Sequence, residues 1–113
     1  MANKHRGEMR ISLGGQDYNT RLNFDSIARI EGTTGQSVIR LAQSIGDTSI
    51  GLQQLSIVLH AAIKGGGNDV TEKDVNKIIW EAGIVAAMGA AGEVLTNALI
   101  GGQDEGKDEA EEA

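Results

Sequence analysis

The chain has 113 residues, enough for one domain and too few for two ordinary ones. Hydrophobic residues make up 40% and aromatic ones 3%, so the core must come from Ile, Leu, Val, Ala and Met, while the absence of Cys and Pro excludes disulfide scaffolds, Cys-ligated zinc and thiol chemistry and makes a reducing compartment the default. Of the net charge of −6, the segment Gln103 to Ala113 carries −5, which leaves residues 1–102 near neutral and without the basic field that draws a protein to nucleic acid.

Lys4, His5, Arg6 and Arg10 are followed by no apolar run, so no secretory signal peptide is expected. Met9, Ile11 and Leu13 alternate with polar residues up to Gly14-Gly15, after which Tyr18, Thr20, Leu22 and Phe24 resume the period of two. This predicts a β-hairpin with one apolar face. Both a two-residue loop pairing Leu13 with Gln16 and a four-residue loop pairing Leu13 with Tyr18 satisfy the pattern. An isolated ribbon is marginal in water, so that face must pack on something else.

From Asp25 the period becomes helical. Asn23 or Asp25 offers an N-cap, Ile27 and Ile30 share a face, and Gly32 offers a stop. Val38, Leu41, Ala42 and Ile45 mark a second helix ended by Gly46. Thr48 or Ser49 caps a third, whose stripe is Leu52, Leu55, Val58, Leu59, Ala62 and Ile63 up to Gly65-Gly66-Gly67. A fourth starts at Thr71, with Asp74 completing an approximate capping box and Val70 set against Val75 as a hydrophobic staple. Its face is Val75, Ile78, Ile79 and Ala82, with Gly83 as stop. A fifth stripe runs through Ile84, Met88, Ala91, Leu95, Ala98 and Leu99 to Gly101-Gly102, and the small residues around Gly89 and Gly92 point to close packing on a neighbouring helix, with a hinge or self-association surface as the alternative. At 17 residues with Glu93, Thr96 and Asn97 inside it, the stretch 84–100 falls short of the roughly 20 apolar residues of a bilayer span.

The expected architecture is therefore α+β, mainly α: a flexible basic leader at 1–6, a single domain at 7–102 made of an N-terminal β-hairpin and about five short helices, and a disordered acidic tail at 103–113.

Local signals for chemistry are weak. His5 lies in the leader and His60 inside the third helix, and neither has a ligand set at metal spacing. Gly65-Gly66-Gly67-Asn68-Asp69 lacks the Lys-Ser/Thr of a phosphate loop and follows a helix, which makes it a helix stop and linker. Asp69 to Asp74 lacks the spacing of a calcium loop. The third and fourth helices suggest helix-turn-helix only loosely, since Lys73 and Lys77 are offset by Glu72, Asp74 and Glu81. Trp80 lies off its helix's apolar stripe, as either a cover for the body or an exposed anchor for a partner. The acidic tail is either a solubilising appendage or a docking segment for a basic partner.

One wider pattern stands out. Gly7-Glu8 leads a strand, Leu13-Gly14-Gly15 precedes Tyr18, and Leu22, Phe24, Ser26-Ile27-Ala28 and Ile30-Glu31 lead to Thr34-Gly35 and Ser37; Ala61-Ala62-Ile63-Lys64-Gly65-Gly66 then precedes Val70-Thr71 and Asp74-Val75. This pattern, over roughly residues 7–100, resembles the phage tail assembly chaperones, a class of small tail proteins of gene transfer agents and siphophage-like prophages encoded near the tape-measure gene. Leu22 stands where many relatives carry proline, and the last helix is unusually rich in Gly and Ala.

The resemblance implies a protein that is not an enzyme and uses no cofactor or metal. It would bind the tape-measure protein and then give way to the tail tube protein, in the cytoplasm of a bacterial host and without contacting nucleic acid or membrane. A tail tube or other structural tail subunit, found in the virion, is the near alternative, and a small DNA-binding regulator a second. A homo-oligomer is compatible with either tail role. The candidate partner contacts are Trp80, Ile84, Met88, Leu95 and Leu99.

Overall fold

The computed structural model describes residues 7–112, with side chains for 7–100. Alternation from Met9 onward produces β1 (Glu8–Leu13) and β2 (Gln16–Arg21), an antiparallel pair in which Leu13 faces Gln16 and Ile11 faces Tyr18. Of the two registers open to the sequence, the two-residue loop is the one adopted. Gly14 and Gly15 both have positive φ, 61° and 82°, the conformation that lets a two-residue turn follow the twist of the strands. Ile11, Leu13, Thr20 and Leu22 are buried, and the Thr20 hydroxyl donates to the Met9 carbonyl at 2.9 Å.

Five helices follow: α1 (Phe24–Thr34), α2 (Val38–Gly46), α3 (Leu52–Gly65), α4 (Glu72–Ala82) and α5 (Ile84–Glu112). The expected order of hairpin and five helices is the order found. Asn23 caps α1, accepting from the Ser26 N–H while Ser26 Oγ accepts from the Asn23 N–H. The helix continues past Gly32, the expected stop, and ends at Gly35 in the left-handed conformation. Phe24, read as the last residue of the hairpin's apolar face, instead opens α1 and is 84% exposed. Ser37 caps α2, and the Glu31 carboxylate accepts from the Val38 N–H at 2.8 Å, tying α1 to the start of α2.

The cap of α3 is Gly51, two or three residues later than Ser49 or Thr48, because both of those are spent in the turn after α2, where their N–H groups bond back to Ser44 and Ile45. The capping box of α4 forms as read, with Thr71 and Asp74 bonded reciprocally. The Thr71 N–H, and then its hydroxyl, hold the Asp74 carboxyl below its ordinary value of 3.8.

The interior is one aliphatic cluster centred on α3, whose Leu55, Val58, Leu59, Ala62 and Ile63 are fully buried among Leu41, Val75, Leu95 and the hairpin residues. At its C-terminal end α3 meets β2 backbone to backbone. A Cβ on Gly65 would lie 2.2 Å from the Arg21 carbonyl oxygen, and one on Gly66 2.0 Å from that of Asn19. Asn68 then seals the strand, its side-chain amide donating to Asn19 O at 2.9 Å and Ile63 O at 3.0 Å. On β1 the Asn97 amide donates to Glu8 O at 3.2 Å. Each strand of the ribbon thus has a side-chain amide seated on a backbone carbonyl. α5 continues past Gly101-Gly102, the expected stop, to Glu112; the leader at 1–6 and the side chains of 101–113 lie outside those described.

Gly66→Ala drives a methyl into the β2 backbone and lowers the unfolding free energy by about 2 kcal/mol or more in urea titrations, whereas Gly89→Ala, with open space around its Cβ, raises it by about 1 kcal/mol. Because the Asp74 carboxyl is lowered in the folded state, its contribution is full above the ordinary value of 3.8 and fades as pH falls through the lower folded value. Asp74→Ala therefore flattens the acid limb of a stability-against-pH curve below about pH 3.8.

Candidate functional site

Two of the three aromatic residues are on the outside. Trp80 is 76% exposed, which decides between the two roles open to it: it does not cover the body. It projects from the polar side of α4 because the buried face of that helix is taken by Val75 and Ile79. Beside it the first turn of α3 overhangs the body, leaving Leu52 57% exposed. The spacing starts the core stripe at Leu52, but this residue sits at the first position of α3, on the rim of the body and outside the core cluster.

Leu52, Trp80 and Ile84 line a groove of about 490 Å³ between α3 and α4, with Ile79, Ser56 and Asn76 in its wall. Ser56 Oγ donates to Asn76 Oδ1 across that wall, joining the two helices below the apolar rim. Val85, one residue past Ile84, is 77% exposed. Isolated exposed apolar residues are ordinary, but a tryptophan and a leucine around one groove form a candidate interaction surface.

The five expected contact residues separate. Trp80 and Ile84 come together in this groove. Leu95 is fully buried in the core and cannot touch a partner. Met88 and Leu99 are half-buried and packed against the core cluster. The cause is a rotation of the buried face of α5: Ala87, Ala90, Ala91, Val94, Leu95 and Ala98 point inward, so the alanines, not Ile84 and Met88, form the seam. Gly92 fits the small-residue reading, since its ideal Cβ lies 3.2 Å from Ile45 Cγ2 of α2, while nothing lies near Gly89.

His60 is half-buried, with Nε2 3.1 Å from the Val70 carbonyl oxygen; a proton on Nε2 ties α3 to the loop before α4. Among the described residues no group of three His, Asp or Glu side chains is placed to hold a metal ion, and no single helix is long and apolar enough to cross a membrane. What the arrangement offers is shape and apolar surface on a helical scaffold.

A protein-family model described as "Phage tail tube protein, GTA-gp10" matches residues 6–111. The chain belongs to that family of phage and gene-transfer-agent tail proteins. Comparisons with curated proteins and with solved structures gave no match.

Burial separates the candidate residues experimentally. Leu95→Ala costs about 2–5 kcal/mol of stability, while Trp80→Ala stays within about 0.5 kcal/mol of the parent; denaturant titrations of the two variants check both.

Proposed function

We propose that the protein is a non-enzymatic tail assembly chaperone that binds the tape-measure protein through the groove lined by Leu52, Trp80 and Ile84. The observation that carries this reading is Trp80, 76% exposed at an apolar groove while the core beneath is completed by aliphatic residues alone. A tryptophan left in water is costly surface unless a partner covers it, and tryptophan is among the residues that dominate binding energy. A groove between two helices suits an amphipathic helix laid in with its apolar side down, and a long helical partner offers such a side many times over. Weak sites repeated along one partner give avidity and still release when the tail tube protein replaces them. The setting for this role is the cytoplasm of a bacterial host.

A structural subunit of the tail tube, carried into the virion, is the second reading, and the family's description favours it. Against it stands the only sheet among the described residues, a two-stranded ribbon. Asn68 and Asn97 sit on carbonyls of its two strands, which discourages joining subunits strand to strand. A small DNA-binding regulator draws little support, since Lys73 and Lys77 of α4 stand among Glu72, Asp74 and Glu81.

Coexpression with a fragment of the neighbouring tape-measure gene is expected to raise the soluble yield of that fragment. Trp80→Ala and Leu52→Ala should each weaken the complex by about tenfold without loss of fold. Unaided assembly of the purified protein into tubes, with no effect on the fragment, decides for the structural subunit.

A further inference from the structure

A second groove, of about 610 Å³, lies between α1 and α3 and has a different character. It is lined by apolar Ile30, Ile57 and Ala61 and by Arg21, Arg29, Lys64 and His60. Asp25 and Glu72 also line it, so cations outnumber acids in a body that is otherwise near neutral. The strongest charge on the chain is of opposite sign: Gln103 to Ala113 carries six acids against one lysine.

We propose that the acidic C-terminal segment of one copy docks in the α1–α3 groove of a second copy, joining the protein head to tail. Three observations carry this. The charges are complementary, since Arg21, Arg29 and Lys64 line the groove beside apolar Ile30, Ile57 and Ala61. The lengths agree: a segment of eleven residues would span about 16 Å as a helix, and α1, five of whose residues line the groove, has eleven. The segment also leaves the body elsewhere, for Ile100 lines the groove between α2 and α5 with Met9, Ala42 and Ile45 and shares no residue with the α1–α3 groove.

A contact between two different patches is heterologous, and it generates open rows of copies unless its rotation closes a ring. The α1–α3 groove and the Trp80 groove share only Glu72. A row built through the first leaves the second open, which is the arrangement that coating a long partner needs. The inference does not depend on the tape-measure reading, because it concerns the purified chain alone.

The experiment is sedimentation velocity on the full chain over a range of protein concentrations, at low and at high salt. The expected result is concentration-dependent association at low salt that weakens at least about tenfold when the Debye length falls from roughly 30 Å to 3 Å. Arg29→Glu with Lys64→Glu, and separately a chain with its six tail acids changed to Asn or Gln, should each remain monomeric with an unchanged circular dichroism spectrum. Mixing the double variant with a chain whose tail acids are changed to Lys should restore association. A protein monomeric under all conditions overturns the proposal, as does association that survives neutralisation of the tail. So does a salt-dependent contact of the tail with the groove that is independent of concentration, which would place the segment on its own chain.

Discussion

The approach of α3 to β2 is the contact on which the rest of the structure depends. A two-stranded ribbon has too little apolar surface to persist alone, so the hairpin exists here only because a helix lies against it. That helix comes within backbone distance because Gly65 and Gly66 present no side chain to the carbonyls of Arg21 and Asn19. Once α3 is seated, its buried stripe becomes the axis round which α1, α4 and α5 assemble, with Leu55, Leu59 and Ile63 all removed from water.

An all-aliphatic core has a consequence for the surface. Tyr18 alone among the aromatic residues packs against the interior, and Phe24 and Trp80 remain outside. In a chain with so few aromatic groups, leaving two in solvent puts a large share of its possible binding energy where a partner can reach it. The small residues of α5 make this possible: Ala87, Ala90, Ala91 and Gly92 let that helix approach α2 and α3 closely enough to fill the interior without bulky side chains.

Charge is divided as sharply as hydrophobicity. The body is near neutral overall, with its cations gathered partly on the α1–α3 groove, and the acids of the last eleven residues form a separate block. Membership of a phage and gene-transfer-agent tail family sets the molecule among tail proteins; in the chaperone role proposed above, contacts form in numbers and then exchange. Grooves of modest size, one apolar and one charged, are suited to that kind of reversible contact.

The sequence by itself determined the order and type of the elements, because each is written in local terms: alternation for the strands, a 3.6-residue stripe for the helices with a cap for the first and fourth, and glycine at the turns. Asn23 and Thr71 were legible as caps since capping involves only residues three apart. What it did not determine was which residues are covered. The exposure of Leu52 and Phe24, the rotation of the α5 seam onto its alanines and the burial of Leu95 depend on where neighbouring elements end. Gly65-Gly66 read locally as a helix stop, and only the tertiary structure reveals a close approach to a strand some 45 residues earlier. Asn68 and Asn97 carried no signal for the same reason: each bonds a backbone carbonyl distant in the chain, and a pattern of neighbours cannot record a partner that only folding brings near.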